Sequence, residues 1–242
     1  MTAPDDGLRM MRVSASTRIA PRMQRLRLEG EALERFDTTA NLHVRLHLPA
    51  SPATAAVVTR YYTIRHIDTA AGWVDIDFVL HEAPGPGGDF ARLAKVGDIC
   101  GMSGPCGLGA KPAPFYLLAG DETALPAIAR IAETLPVQAR GKIILEIGGR
   151  EDQIDFRHPA GIAVSWLYRG ETAVEEQGLF TKNLAQALAE VESRRDSFVW
   201  IAGEYSAVMP LRTPLKRSHA KRSLCVPYWR AEGRFSQTSS VS

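Results

Sequence analysis

The chain has 242 residues, with 45% hydrophobic and 23% charged side chains and a formal net charge of +2. This length accommodates one large domain or two small ones, and the balanced charge gives no support for nucleic-acid binding. No apolar run approaches the roughly 18 residues of a membrane-spanning helix, so we expect no membrane insertion. The segment MTAPDDGLRMMR lacks the apolar core of a secretory signal. A cytoplasmic protein with three reduced cysteines, Cys100, Cys106 and Cys225, is therefore expected.

Up to about residue 110 the chain has the pattern of short strands separated by turn residues. The segments MQRLRLEG, NLHVRLHLP, YYTIRHI and WVDIDFVLH alternate apolar and polar residues, which is the two-residue period of a half-buried strand. Five or six such strands without a convincing helix predict an antiparallel barrel or sandwich.

After the segment KPAP at 111–114 the pattern changes to strands that alternate with helices. FYLLAG, KIILEIGG, IAVSWLYRG and SFVWIAG are strand-like, whereas ALPAIARIAETL and TKNLAQALAEVES have helical spacing. This alternation predicts an open parallel sheet covered by helices. We therefore expect a β-barrel domain at residues 1–112 and a small α/β domain of nucleotide-binding type at residues 113–242.

Two segments of the second half resemble each other. LLAGDETALP and WIAGEYSAVMP each place a glycine, Gly120 or Gly203, at the end of a strand and just before a helix. Open α/β sheets bind ligands at this edge. Chance similarity between two strand–turn–helix units is the alternative explanation, and it places the ligand edge in the same position.

The segment TRYYTIRH concentrates cationic and aromatic residues in one strand. Alternate side chains of a strand share a face, so Arg60 and Tyr62 project together and Thr63 faces the other way. Arginine pairs with phosphate oxygens and tyrosine stacks on planar rings, which suits a ligand with a diphosphate and a flat ring. An exposed strand with extended arginine side chains is the alternative.

A glycine cluster in the same half supports the ligand reading. Gly85, Gly87 and Gly88 precede a helix-like segment at 89–95, where free backbone N–H groups can bind an anion. The cluster alone is weak evidence, but it follows the next strand after Arg60.

These motifs resemble the siderophore-interacting proteins of the ferredoxin–NADP reductase superfamily. The flavin motif Arg-x-Tyr-Ser/Thr of that family is similar to Arg60, Tyr62 and Thr63, and GDETALPAI at 120–128 is the most specific match. The resemblance implies that Tyr62 and Thr63 lie beside the reacting flavin ring as the catalytic pair. It assigns FAD binding to Arg60, Tyr62, Thr63, Arg65, His81, Gly85, Pro86, Gly87, Gly88, Phe90, Asp121, Thr123 and Ala124. It assigns nicotinamide binding to Gly120, Gly203 and Glu204. Arg150, which follows a strand on the ligand side, is a candidate for a nucleotide phosphate, and Arg45, Arg230 and Arg234 are candidates for a basic rim that binds the siderophore. Plain surface charge is the alternative for each of these arginines.

The resemblance implies an FAD-dependent reductase that passes electrons from NAD(P)H to iron(III) in a ferric siderophore, acting as a monomer or weak dimer. A nicotinamide gives two electrons at once and iron(III) accepts one, and a flavin bridges that mismatch. A general flavin reductase or electron-transfer protein is an alternative, as is a non-enzymatic flavin or siderophore carrier. His43, His47, His66, His158 and His219 have no metal-ligand spacing, so no resident metal is expected.

Several positions depart from the family pattern. Glu82 replaces a glycine of the pattern, Gly87 replaces an alanine and Phe90 replaces a tryptophan. Pro214 is expected to interrupt the helix that follows the segment WIAGEYSAVMP. Asp121 and Glu122 stand where phosphate would otherwise bind, so they repel it, or else Asp121 or Thr123 caps the helix. Either arrangement predicts weak, transient nicotinamide binding.

Overall fold

The computed structural model describes residues 7–50, 56–81, 85–171, 178–194 and 196–231. Glu82 and Arg234, each of which carries an expectation from the sequence, lie outside the described residues. The described chain contains a closed antiparallel barrel followed by an open parallel sheet with helices on both faces. The predicted fold class is confirmed. Of the two predicted architectures for the first half, barrel or sandwich, the structure shows the barrel.

The barrel contains six strands. They are β1 (Arg9–Ala20), β2 (Met23–Glu29), β3 (His43–Pro49), β4 (Val57–Asp68), β5 (Trp73–Val79) and β6 (Ile99–Cys106). They close in the order β1-β2-β5-β4-β3-β6, and every pair is antiparallel. Alternate residues such as Leu26, Val44 and Ile76 fill the interior, which is the physical origin of the two-residue pattern in the sequence. The short helix α1 (Pro86–Leu93) follows β5.

The parallel sheet contains the remaining five strands. They are β7 (Phe115–Asp121), β8 (Arg140–Ile147), β9 (Gly161–Tyr168), β10 (Phe198–Glu204) and β11 (Ser223–Trp229), in the order β11-β10-β7-β8-β9. The helices are α2 (Leu125–Thr134), α3 (Leu179–Glu192) and α4 (Tyr205–His219). Leu118 of β7 packs with α2 on the face towards the barrel, whereas Leu117 packs with α3 and α4 on the other face. Both faces are covered, which explains the continuous apolar run of β7.

The strand order reverses between β7 and β10. The chain leaves β7 towards β8 on one side, while β10 lies on the other side, so the carboxyl ends of β7 and β10 form a topological switch point. An added Cβ at Gly120 would lie 2.5 Å from the carbonyl oxygen of Ala202. Glycine is therefore required at this edge because the two strands and the following helix approach closely.

The helix α4 corrects the expectation for Pro214. It runs without interruption from Tyr205 to His219 with Pro210 and Pro214 inside it. Both prolines are exposed, so water can solvate the carbonyl groups that lose their helical partners. A second proline, Pro227, lies inside the strand β11. It is tolerated there because β11 is at the edge of the sheet, where a missing backbone N–H does not break the ladder.

Candidate functional site

A cleft of about 840 Å³ separates the barrel from the parallel sheet. Its volume falls in the range of small-molecule and cofactor sites, about 300–1,000 Å³. Residues of both halves line it, including His43, Arg60, Tyr62, Thr63, His81, Gly85, Gly87, Gly88, Cys106, Thr123, Trp200, Tyr228 and Trp229. The structure therefore brings together the TRYYTIRH strand, the glycine cluster and the turn after β7, which are separate in the sequence.

One wall of the cleft is β4. Tyr62 pairs with Val44 and Arg60 with Leu46 across the antiparallel ladder, so Arg60 and Tyr62 share a face as predicted. The Tyr62 ring packs on Phe78 with centroids 4.3 Å apart, and burial raises the pKa of Tyr62 to about 12. The phenol therefore stays neutral, while the Arg60 side chain is exposed and can meet a phosphate group.

The glycine cluster forms the start of α1. Gly85 precedes the helix and an added Cβ there would meet nothing within 4 Å, whereas an added Cβ at Gly87 would lie 1.8 Å from Tyr62 Oη. The backbone at Gly87 thus approaches the aromatic ring closely, which a side chain would prevent. Pro86 is the first helical residue and Phe90 packs behind the cleft against Phe78, at a centroid distance of 6.5 Å. Phe90 supplies an apolar ring here, as expected for the replacement of tryptophan.

The turn after β7 is organised by the buried carboxylate of Asp121. Oδ1 accepts hydrogen bonds from the backbone N–H and the hydroxyl of Thr123, at 2.9 and 2.5 Å. Oδ2 accepts from the Glu204 N–H at 3.0 Å and from the Trp229 indole at 2.7 Å. Burial raises the pKa of Asp121 in spite of these donors. The sequence offered Asp121 or Thr123 as the cap of this helix. In the structure Ala124 is the N-cap of α2, and Asp121 instead closes the turn that precedes it.

The start of α4 is capped by the carboxylate of Glu204. It accepts hydrogen bonds from the backbone N–H groups of Ser206 at 2.6 Å, Ala207 at 3.2 Å and Ala231 at 3.2 Å. Burial opposes ionisation, but these donors lower the pKa of Glu204. The amides that could receive a phosphate beside β7 and β10 are thus bound to carboxylates of the chain itself.

His43 and Tyr228 were not predicted as site residues, although both line the cleft. His43 Nε2 lies 2.5 Å from Tyr228 Oη, and the two rings meet edge to face. Burial and the nearby Arg130 charge lower the pKa of His43 to about 4, and burial raises that of Tyr228. The one available sequence signal was the segment PYWR at 227–230, which resembles the closing segment of the family.

Several predicted site residues lie outside the cleft. Arg65 is nearly buried and pairs with Glu133 of α2, with both nitrogen–oxygen distances at 2.7 Å. The guanidinium holds α2 against β4, and the assignment of Arg65 to FAD stays a prediction. Gly120 and Gly203 lie near the carboxyl ends of β7 and β10, and Ala124 is the N-cap of α2. None of the three is among the residues that line the cleft.

The remaining predicted cations lie near the rim or beyond it. Arg45 donates a hydrogen bond to the Tyr61 hydroxyl at 2.6 Å, and Tyr61 lines the cleft. Arg230 lies over the Tyr205 ring at 3.8 Å, and Arg150 lies over Tyr168 at 4.6 Å. These contacts orient the three guanidinium groups.

Within the described ranges, no helix is both long and apolar enough to cross a membrane. The same residues contain no group of three His, Cys, Asp or Glu side chains that could hold a metal ion.

Comparison with known proteins agrees with this geometry. The family model for the siderophore-interacting FAD-binding domain matches residues 50–109, and the model for the siderophore-interacting protein matches residues 113–232. The chain is 32% identical over 181 residues to the ferric vibriobactin reductase ViuB of Vibrio cholerae. This match covers 72% of this chain and 65% of that protein. The match thus spans slightly less than two thirds of the relative.

Two solved structures extend the comparison. The siderophore-interacting protein SipS from Aeromonas hydrophila superimposes with a TM-score of 0.73 and 32% identity, over 94% of this chain and all of that chain. A ferredoxin–NADP⁺ reductase from Plasmodium falciparum has a TM-score of 0.68 at 12% identity, over 90% of this chain and 95% of that chain, so it shares the fold alone.

The barrel, the parallel sheet and the cleft between them define the ferredoxin reductase fold, and residues 50–109 match an FAD-binding domain. The chain belongs to the siderophore-interacting protein family, as the resemblance of its motifs implied.

The described residues fit FAD. The exposed Arg60 guanidinium and the open approach to Gly85 suit a diphosphate, and the Tyr62 ring together with Thr63 suits the flat ring system.

Proposed function

We propose that the protein is an FAD-dependent oxidoreductase that uses NAD(P)H to reduce iron(III) held by a siderophore, which releases iron(II). The observation that carries this proposal is the cleft in which Arg60, Tyr62 and Thr63 meet the glycine loop and the carboxyl edge of the parallel sheet. Bound FAD supplies the ability to accept an electron pair and to pass the electrons on one at a time.

The barrel residues would hold the cofactor. Arg60 and the backbone at Gly85 and Gly88 bind its diphosphate, while Tyr62 supports one face of the flavin ring. The Tyr62 ring is suited to this role because its contact with Phe78 fixes its orientation. The buried Thr63 hydroxyl would hydrogen-bond to the ring, and its position in the lining of the cleft beside Tyr62 supports this role.

The parallel sheet would receive the nicotinamide nucleotide at the ends of β7 and β10. Asp121 and Glu204 already bind the local backbone N–H groups, and their negative charge disfavours a second anion. We therefore propose weak and transient NAD(P)H binding, with Arg150 as the cation at the nucleotide end. Transient binding suits a two-step reaction, since the nicotinamide must leave before a bulky chelate approaches.

The substrate side of the cleft would attract an anionic ferric chelate. Arg45 and Arg230 lie at the rim, held by Tyr61 and Tyr205 respectively, and a basic rim speeds the capture of an anion. In this proposal iron(III) is the substrate. We place the protein in the cytoplasm, where NAD(P)H is abundant, as a monomer or weak dimer.

An anaerobic absorbance experiment tests the proposal. FAD-loaded protein receives NADH or NADPH, then a ferric siderophore with an iron(II) chelator, and the flavin band and iron(II) complex are followed. Bleaching by nucleotide and iron(II) formation on addition of the chelate are expected. Tyr62→Ala and Arg60→Ala should fold normally, judged by circular dichroism, yet purify without colour.

The outcomes separate the alternatives. Equal rates with free flavin or a redox protein in place of the chelate would point to a general reductase. No bleaching by either nucleotide would point to a flavin or siderophore carrier. A fully yellow Tyr62→Ala or Arg60→Ala protein would refute the flavin assignment.

A further inference from the structure

Thr63, Tyr228 and His43 form a chain of polar side chains that crosses the boundary between the barrel and the parallel sheet, with a hydrogen bond between Tyr228 and His43. We infer that this chain conducts the proton that must leave the flavin site in each catalytic cycle. The inference rests on the proposed reductase function and adds His43 and Tyr228 to it as proton-transfer residues.

The fold brings the three side chains together by independent means. His43 of β3 and Thr63 of β4 are direct partners in the antiparallel ladder, so their side chains emerge on the same face. Tyr228 comes from β11 in the other half of the molecule, 185 residues from His43 in sequence. Its ring also packs edge to face against Trp200 at 6.1 Å, which fixes the hydroxyl between the two barrel residues.

Tyr228 and His43 are joined by a hydrogen bond, and the Thr63 hydroxyl lies beside them at the cleft. Burial raises the pKa of Tyr228, and the Thr63 hydroxyl lowers it. The phenol of Tyr228 stays protonated because burial raises its pKa, so it donates to His43 Nε2. With its pKa lowered to about 4 by burial and by the charge of Arg130, His43 is neutral. A neutral imidazole that accepts at Nε2 carries its hydrogen on Nδ1.

The far end of the chain reaches the surface turn after β6. An added Cβ at Gly107, whose φ is +72°, would lie 2.1 Å from His43 Nδ1. The imidazole therefore lies directly against this turn, and Gly107 and Leu108 are exposed and line the mouth of the cleft. A proton accepted at Nε2 can thus be matched by one released from Nδ1 towards water.

The stoichiometry of the proposed reaction requires such an exit. One NAD(P)H and two iron(III) ions give NAD(P)⁺, two iron(II) ions and one proton. The electrons leave towards the chelate one at a time, while the proton remains at the flavin edge beside Thr63. Thr63 is buried, so direct loss to bulk water from that position is hindered, and the relay provides a route.

A half-reaction without nicotinamide or siderophore tests the relay. FAD-loaded protein is reduced photochemically and mixed with ferricyanide, a one-electron oxidant, while flavin absorbance and a pH indicator in weak buffer are recorded. Tyr228→Phe and His43→Gln should slow reoxidation and proton release together, by about tenfold or more, and should change the solvent isotope effect. Added imidazole should restore the rate of His43→Ala.

Matched controls separate proton transfer from structural damage. Tyr116→Phe removes a hydroxyl from another buried tyrosine of the sheet, which accepts the Ala113 N–H at 2.9 Å. His47→Gln alters another histidine of β3, which bonds to Ser103 at 2.8 Å. Both should reoxidise at the wild-type rate.

A second measurement needs no cofactor. In the FAD-free protein, ¹⁵N NMR should show His43 neutral at pH 7 with an unprotonated Nε2, and Tyr228→Phe should shift that nitrogen resonance. Wild-type rates and isotope effects in Tyr228→Phe and His43→Gln would overturn the relay. Failure of the wild-type protein to bind FAD would instead refute the proposed function, so the two failures are distinguishable.

Discussion

Arg65 of β4 and Glu133 of α2 form a two-point ion pair that joins the barrel to the parallel sheet. Both nitrogen–oxygen distances are 2.7 Å, and the side chains are 5% and 16% exposed. Arg130, one helical turn earlier in α2, donates to the Ile64 carbonyl oxygen at 2.8 Å. The strand that carries Tyr62 and Thr63 is therefore fixed to the helix that follows the GDET turn, and each half of the cleft positions the other.

We expect Arg65→Ala to lower the free energy of unfolding by about 2–4 kcal/mol, because Glu133 would keep a partly buried charge without its partner. Lys142 and Glu190 form a control pair at 2.5 Å with both side chains well exposed. Lys142→Ala should cost less than about 1 kcal/mol. Urea denaturation measures both, and equal effects would show that burial of the Arg65 pair is unimportant.

A second prediction concerns the close approach of Gly87 to Tyr62. In Gly87→Ala the new methyl group would lie 1.8 Å from Tyr62 Oη, so the ring must move and FAD binding should weaken by about tenfold. Tyr62→Phe removes the hydroxyl, and in that background Gly87→Ala should have little effect. Flavin fluorescence gives the four dissociation constants of this cycle.

The contrast for this cycle is Gly85→Ala, where an added Cβ has open space and does not meet Tyr62. Any loss of FAD binding in this variant would come from the diphosphate side, so it should be the same in the Tyr62→Phe background. If Gly85→Ala and Gly87→Ala behaved alike in both backgrounds, the Tyr62 hydroxyl would not constrain the loop.

Most of the fold was predictable from the sequence. A strand buried on one face alternates apolar and polar residues, whereas a strand buried on both faces is an apolar run. The strands β2 to β5 alternate, β7 and β10 are nearly continuous apolar runs, and β8 contains the apolar run Ile143–Leu145, so their type was readable. The strands β1, β6 and β11 were not named. Gly101, Gly104 and Pro105 interrupt β6, and Pro227 interrupts β11. Such residues normally mark turns, and only an edge position or a closed barrel accommodates them.

The site was predictable where its residues are close in sequence and not where they depend on tertiary contact. Alternation alone placed Arg60 and Tyr62 on one face. His43 contacts Tyr228, 185 residues away, and no local pattern reports such a pairing. The ion pair of Arg65 was not predicted for the same reason, because its partner Glu133 is 68 residues away in sequence.

A third prediction follows from the charged face of the barrel. Asp75 is almost fully buried and accepts two hydrogen bonds from Arg27, at 2.9 and 3.0 Å, and one from His66 at 3.3 Å. Burial opposes ionisation, but these partners lower the pKa of Asp75 to about 2, below the value of about 4 in an unfolded chain. The carboxylate therefore stabilises the fold fully above about pH 4, and this contribution is lost as the pH falls towards 2.

Asp75→Asn should thus destabilise the protein by about 1–3 kcal/mol at pH 7, and the difference from wild type should shrink between pH 4 and pH 2. Denaturation at a series of pH values measures it, with exposed Asp155→Asn as the control. A difference that stayed constant down to pH 2 would mean that the ionised carboxylate is not responsible.

The last prediction concerns the carboxylates at the nucleotide edge. Glu204 binds the first amides of α4 and stands beside Asp121 at the switch point. Glu204→Gln keeps an acceptor oxygen and removes one negative charge, so the apparent KM for NAD(P)H should fall by about three- to fivefold, equivalent to about 1 kcal/mol. The gain should be larger for NADPH, which carries more negative charge, and should diminish at high salt because exposed charges are screened.

Glu190→Gln, on α3 and away from this edge, should leave KM unchanged. An unchanged KM in Glu204→Gln at low salt would place the nucleotide phosphates elsewhere, since a carboxylate in their binding position cannot be electrostatically silent.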